Sequence, residues 1–222
     1  MRLVRCLALA GCLSAALPAQ AALTSFTSRA AFDAAIAGLA ASSVDFEGVA
    51  AGTPFASGSG TGGLTFTYSI AGSTAQVADT FGTTSGTHYL GLDNPDTAFY
   101  LGDSVTIGFG RTVQAVGLYV VAGSDAQAGD IELSVASGTI ANSALADRPV
   151  SDGQAFWLGL VESDPTLGFT SAMLRGVPAG SAFLAFTADD ITSAVSAVPE
   201  PGSAALLLAG VAVLAGALRR RH

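Results

Sequence analysis

The 222-residue chain reads as all-β: an antiparallel β-sandwich, jelly-roll-like, with one short N-terminal helix, an export leader before it and a C-terminal membrane helix after it. Three observations predict the sandwich. Leu64, Phe66, Tyr68 and Ile70 alternate with Thr65, Thr67 and Ser69, and Val105, Ile107 and Phe109 repeat the pattern; a period of two marks half-buried strands. Gly, Asp, Asn, Pro and Ser clusters interrupt the apolar runs about every ten residues, the spacing of a sandwich. Lysine is absent, only 12% of residues are charged and glycine reaches 27, so the chain relies on turns and small residues rather than ion-paired helices.

The elements follow in order. Ser28 can cap a short helix in which Phe32, Ile36 and Leu39 recur at spacings of four and three and so share one face, with Gly38 ending it. Further strands are expected at 116–121, 131–135, 156–160, 169–174 and 183–186. No helical pattern separates them, which disfavours a parallel βαβ fold. The apolar content, 50%, suits one core, and a single domain is expected over residues 22–197.

The formal charge of −8 understates the acidity of that domain. Between Ala22 and Val198 stand four Arg and sixteen Asp or Glu, so 4 − 16 = −12. Such a surface repels a phosphate backbone, so nucleic acid is not an expected partner. Both cysteines, Cys6 and Cys12, lie in the leader; once it is cut, no disulfide or thiolate chemistry remains.

The two ends carry the sharpest signals. Arg2 and Arg5, an apolar stretch from Cys6 to Leu17 and the small residues of Ala19-Gln20-Ala21 form a signal peptide, residues 1–21, cut before Ala22 by signal peptidase. A competing reading is Leu9-Ala10-Gly11-Cys12, a lipoprotein box that would leave Cys12 lipidated. At the other end Ser203 to Leu218 is apolar without interruption and is followed by Arg219, Arg220 and Arg221. Its sixteen residues span roughly 24 Å as a helix, thin for a hydrocarbon core of about 30 Å but workable with snorkelling arginines. The arginines should stay cytoplasmic, tethering an exported domain to the inner membrane.

Val198-Pro199-Glu200-Pro201, the helix 203–218 and the basic tail 219–222 together resemble the PEP-CTERM sorting signal of Gram-negative bacteria that make exopolysaccharide. The resemblance implies recognition by an exosortase, a membrane-bound cysteine protease, with the Pro-Glu-Pro segment as its landmark. Two prolines hold that segment extended and remove backbone donors, which suits a peptide entering a protease cleft. The layout of the middle also resembles the β-rich ectodomains of such proteins: Phe26 to Gly38, then Val44-Asp45-Phe46-Glu47-Gly48, then Thr187-Ala188-Asp189-Asp190-Ile191. Those ectodomains are similar to carbohydrate-binding jelly rolls, which implies an early acidic strand and a late Asp-Asp-Ile strand meeting at a metal.

Read from the residues, Asp45 and Glu47 on a strand would share a face while Phe46 points inward. Two carboxylates that close favour an intervening cation, and a structural Ca²⁺ with six to eight oxygen ligands is the one expected, with Asp189 and Asp190 as further ligands if the first and last strands adjoin. The alternative is a solvated acidic edge. Trp157, the only tryptophan, would stack on a sugar ring if exposed, or pack in the core if alternation buries it. Asp93-Asn94-Pro95-Asp96 is read as a turn. Gly58-Ser59-Gly60-Thr61-Gly62-Gly63 fits a dinucleotide fingerprint, but the strand that follows it makes it a turn as well.

No catalytic residue is assigned. A serine triad would have to use His88, without a nucleophile elbow, and among Glu47, Glu132 and Glu162 no pair stands out for glycoside hydrolysis. The expected function is therefore a non-enzymatic cell-surface or matrix protein associated with exopolysaccharide, released from the inner membrane when the tail is cut. A carbohydrate-active hydrolase is the alternative, and a permanently anchored ectodomain follows if the tail is never removed.

Overall fold

The computed structural model describes residues 23–164, 166–181 and 183–196. The leader, the sorting motif 198–201, the apolar run 203–218 and Arg219, Arg220 and Arg221 lie outside the described residues. Within them no helix is long and apolar enough to cross a membrane.

The described chain opens with β1 (Leu23–Phe26), helix α1 (Arg29–Ala35), β2 (Leu39–Val44), β3 (Pro54–Phe55), β4 (Thr65–Tyr68) and β5 (Ala75–Ala78). Its middle holds β6 (Tyr89–Leu92), β7 (Phe99–Tyr100), β8 (Ser104–Val113), β9 (Ala115–Ala122) and β10 (Ile131–Val135). It closes with β11 (Gly138–Ala141), β12 (Arg148–Val150), β13 (Gly153–Glu162), β14 (Phe169–Gly176) and β15 (Ala185–Ser196).

These strands make two sheets. The larger runs β1-β13-β9-β15-β6-β5-β3, with β12 added to β13 and both β2 and β7 to β15; the smaller runs β11-β10-β14-β8-β4. Every strand pairing is antiparallel. Phe156, Leu158, Val116, Leu118 and Ala188 of the larger sheet and Phe66, Val105, Ile107, Leu133 and Leu174 of the smaller one belong to a single buried cluster. One core between two sheets is the two-layer arrangement that strict alternation predicts.

Four strands, β6, β9, β13 and β15, break the alternation, and at β9 and β13 the helix contributes the second cover. All eight residues of β9 are buried, as is most of β13. Their inner faces meet the smaller sheet, while Tyr119, Ala115, Ala155 and Trp157 on the outer face form a second cluster with Phe32 and Ile36 of α1. A strand covered on both faces reads as a continuous apolar run. The core dominates stability. Full burial of a Phe or Leu is worth about 1.5–3 kcal/mol, whereas the two ion pairs among the described residues, Arg29–Asp33 and Glu132–Arg175, are solvent-exposed and such pairs add about 0–1 kcal/mol each.

Most predicted elements are found within a few residues. Leu39 is an exception: it starts β2, opposite Ser196, because the chain leaves the helix at Ile36 and a turn from Leu39 N to Ile36 O follows. Phe183 also differs, lying before β15 and 63% exposed. The expectation that Asp45 and Glu47 share a strand face is corrected as well. The strand ends at Val44, Phe46 adopts a left-handed φ of 63° and is buried, and Asp45 Oδ1 accepts the Glu47 amide across the turn at 3.2 Å.

Candidate functional site

The larger sheet has two distinct ends. Leu23 pairs with Glu162, Val161 with Ala115, Ala115 with Ala194, and Ser196 with Leu39, so the entry of the described chain and its last strand residue share one end. The N-terminus of β15, with Ala185 and Thr187, lies at the other. Twelve residues separate these ends along β15, about 36–40 Å at strand rise. The segment that leads into Val198 therefore leaves from one pole, and whatever occupies the opposite pole points away from it.

Midway along, β15 changes partners. Ala185 to Ala188 pair with β7 and β6, Ile191 to Ser196 pair with β2, and the register against β9 slips between Asp189 and Thr192. Asp190 sits in this bulge at a φ of 52°, and a bulge re-aims side chains. The buried Asp189 carboxylate accepts Thr84 N at 2.9 Å, Thr84 Oγ1 at 2.9 Å, Ser85 N at 3.1 Å and Asp190 N at 2.7 Å. Thr84 Oγ1 is also 2.9 Å from Asp190 Oδ2. At the far side of the same loop Glu47 Oε1 accepts Thr87 N at 2.7 Å and His88 N at 2.6 Å.

Loop 82–88 is thus latched at both ends by carboxylates. Gly86 lets it close: its φ is +48° and a Cβ there would lie 2.1 Å from the Glu47 carboxyl carbon. Arg148 of β12 adds a third hold, lying 4.8 Å over the Tyr119 ring and donating to the Thr84 carbonyl. Tyr119 in turn donates to Asp147 at 2.7 Å, and burial, with that carboxylate second, pushes its phenol above the usual range.

The condition under which the sequence brings the early and late acidic strings together, adjacency of their strands, is met at Val44, which pairs with Ile191. The four carboxylates expected to share a calcium, Asp45, Glu47, Asp189 and Asp190, each have hydrogen-bond partners here. Asp45, Glu47 and Asp189 spend oxygens on backbone amides, and no group of three His, Cys, Asp or Glu residues among the described residues is placed to hold a metal ion.

Burial, reinforced by the charge of Asp190, raises the Asp189 carboxyl to about 6, against the lowering effect of the Thr84 donors. A stability consequence follows. The unfolded chain releases this proton near pH 4 and the folded chain near pH 6, so in that window the folded state binds more protons and stability falls as pH rises, by about 3 kcal/mol in total. Acidification from pH 7 to 5 should accordingly raise the melting temperature, and Asp189→Asn should abolish that rise. A wild-type melting temperature that falls over this interval would contradict it. Below pH 4 the sign reverses, because Glu47 and Asp130 sit below the usual carboxylate range, His88 and Thr87 amides favouring the charge of Glu47 and Ser181 and Gln127 donors outweighing desolvation at Asp130.

Beyond the latch, at the pole away from Ser196, the outer face opens into a cleft of about 200 Å³ lined by Phe81, Val121, Asp125, Asp152, Phe183 and Thr187 among others. Neither phenylalanine was singled out from sequence for a site. The available signal was an aromatic residue inside turn-forming stretches, Asp79-Thr80-Phe81-Gly82 and Gly180-Ser181-Ala182-Phe183.

The remaining sequence candidates lie elsewhere. Trp157 is 1% exposed, covered by Phe32 at 5.1 Å, Tyr119 at 4.9 Å and the Arg29 guanidinium at 4.7 Å, so the exposed stacking platform is corrected to a packed core residue. Glu132 is held by Arg175, Glu162 is buried at the pole of Ser196 and accepts Asp164 N, and Glu47 serves the latch. The three glutamates weighed for hydrolysis thus have separate structural partners. His88 Nδ1 lies 3.4 Å from the Phe46 carbonyl. The 58–63 stretch is a turn, with Gly58 N bonded to Phe66 O, and 93–96 is a loop in which Asn94 bridges to Ala98.

Comparison with known proteins identifies one segment. Residues 197–221 match the PEP-CTERM protein-sorting motif, which supports an exported protein processed by exosortase, a membrane-associated enzyme. No curated protein matches the chain.

Proposed function

We propose that this protein is a non-enzymatic cell-surface or extracellular-matrix protein, delivered by exosortase and associated with exopolysaccharide, whose domain is a lectin-like, jelly-roll-type sandwich. Signal peptidase removes the leader, the apolar run 203–218 holds the protein in the inner membrane with Arg219, Arg220 and Arg221 inside, and exosortase acts near Val198-Pro199-Glu200-Pro201. The observation that supports this reading best is polarity. The sorting motif follows directly on Ser196, at one pole of the larger sheet, while the cleft occupies the opposite pole. A domain tethered at its last strand presents that cleft outward, which is the orientation a displayed binding module needs. The excess of negative charge, sixteen Asp or Glu against four Arg between Ala22 and Val198, suits a solvated matrix setting and disfavours adhesion to anionic surfaces.

Single cysteines test the orientation, since leader cleavage before Ala22 leaves no native thiol. Ser124 and Ala37 are both exposed, the first beside the cleft and the second near the departing tail. In spheroplasts holding uncut protein, a membrane-impermeant maleimide should label Ser124→Cys several-fold faster than Ala37→Cys, and the difference should vanish after release. Equal labelling while tethered would refute outward display, and no labelling at either site would refute export.

A further inference from the structure

We infer that the cleft at the outward pole binds a protonated amine carried on a single sugar ring, that is, a hexosamine residue with an unacetylated amino group. The inference rests on the surface-polysaccharide reading above and names the kind of residue recognised. Four observations carry it.

The first is the walls. Four large apolar residues among the described ones are exposed, and two of them, Phe81 at 37% and Phe183 at 63%, line this cleft. Each is propped by a tyrosine, Phe81 against Tyr89 at 6.5 Å between ring centroids and Phe183 against Tyr100 at 5.5 Å. Rings held in place yet left open to water suit the apolar C–H face of a pyranose, and a π face also attracts a cation.

The second is the floor. Thr187 is 2% exposed, lines the cleft, and its Oγ1 has no hydrogen-bond partner among the described residues. Buried hydroxyls are normally paired, and leaving one unpaired is costly. Oγ1 itself exposes less than 1 Å² to solvent, so a ligand hydroxyl removes that cost only once the Thr187 side chain rotates to turn its hydroxyl into the cleft.

Charge supplies the third. Asp125 and Asp152 stand in the lining, and Asp152 is fixed by Gly82 N at 2.9 Å and Ser151 Oγ at 3.0 Å, both onto Oδ2. No arginine lines the cleft, and the surrounding domain is strongly acidic. Two carboxylates there attract an ammonium and repel a uronate. The fourth is size. At about 200 Å³ the space is below the roughly 300–1,000 Å³ of drug-sized pockets and suits one ring at a time.

A neutral sugar satisfies the walls and the floor but leaves the carboxylates uncompensated; an apolar amine satisfies the walls and carboxylates but leaves Thr187 unpaired. An amino sugar satisfies all three.

The test is calorimetric titration of the full-length protein in detergent with a glucosamine hexamer and with its fully N-acetylated counterpart, at a pH where the free amine is protonated. The deacetylated oligomer should bind at least about tenfold tighter, weakening with salt. Asp125→Asn with Asp152→Asn should erase that preference, and Phe183→Ala, at an exposed position, should weaken binding about tenfold without lowering the melting temperature. Thr187→Val should weaken binding while raising the melting temperature by about 2–4 °C, a pair of opposite shifts that a purely structural residue would not give. Equal affinity for the two oligomers overturns the assignment. So does undiminished binding by the aspartate and Phe183 variants, which would place the attraction on the acidic surface at large. Loss of sorting with hexosamine binding intact would instead sink the surface reading and spare the cleft, whereas normal sorting with no binding would do the reverse.

Discussion

Replacing Trp157 by alanine is expected to destabilise the domain by about 3–5 kcal/mol, the cost of removing a large buried aromatic together with the cavity it leaves. The site cannot collapse cheaply. The indole fills the space between the outer face of the larger sheet and α1, in contact with Phe32, Tyr119 and Arg29, and Gly117 on the neighbouring strand is shaped around it, since a Cβ there would lie 2.3 Å from Trp157 Cζ2. Against a total stability of about 5–15 kcal/mol, losing the clamp removes a large share. Trp157→Phe should cost much less, about 1–2 kcal/mol, because Trp157 Nε1 is itself buried without a partner and phenylalanine deletes that unpaired donor while keeping most of the packing. Denaturant midpoints at constant slope measure both. An alanine variant within 1 kcal/mol of wild type would mean that α1 does not pin the sheet.

Trp157 also shows where sequence legibility ends. An apolar run between turn signals locates the strand, but it does not say which face is covered, or by what, because the covering element is a seven-residue helix over a hundred residues earlier in the chain. The strands rich in Phe, Ile and Val are legible: β4, β8 and β10 each carry a period-two signal. Those built from small residues are not. The strand Leu39-Ala40-Ala41-Ser42-Ser43-Val44 lies mostly exposed on the flank of β15, where backbone pairing rather than side-chain burial forms it. The acidic residues stand out in the sequence, but their hydrogen-bond partners do not. That the two acidic strings adjoin at Val44 and Ile191 is left open by the residues and only implied by the family resemblance; that loop 82–88 intrudes and supplies amides to Glu47 and Asp189 is not legible at all, because nothing local in Thr83-Thr84-Ser85-Gly86 identifies its distant carboxylate partners. Phe183 reads as strand because aromatic residues favour strands, but β15 begins at Ala185 and leaves it exposed.

Disabling the sorting motif is expected to have the largest effect of all on where the protein ends up. Two prolines flanking Glu200 leave an extended segment short of backbone donors directly after the last strand, and replacing one proline and the only glutamate of the tail removes both the stiffness and the charge that distinguish it. Release of the domain should fall to near background while folding and the pH dependence set by Asp189 remain unchanged, since the substituted residues lie outside the sheets. The intact mass of protein isolated from its native host decides the matter. The account predicts that wild type ends near Pro199, having lost the apolar run and Arg219 to Arg221, and that the Pro199→Ala, Glu200→Ala variant keeps its full C-terminus in the membrane fraction. A full-length C-terminus in both would contradict it and leave a permanently anchored ectodomain.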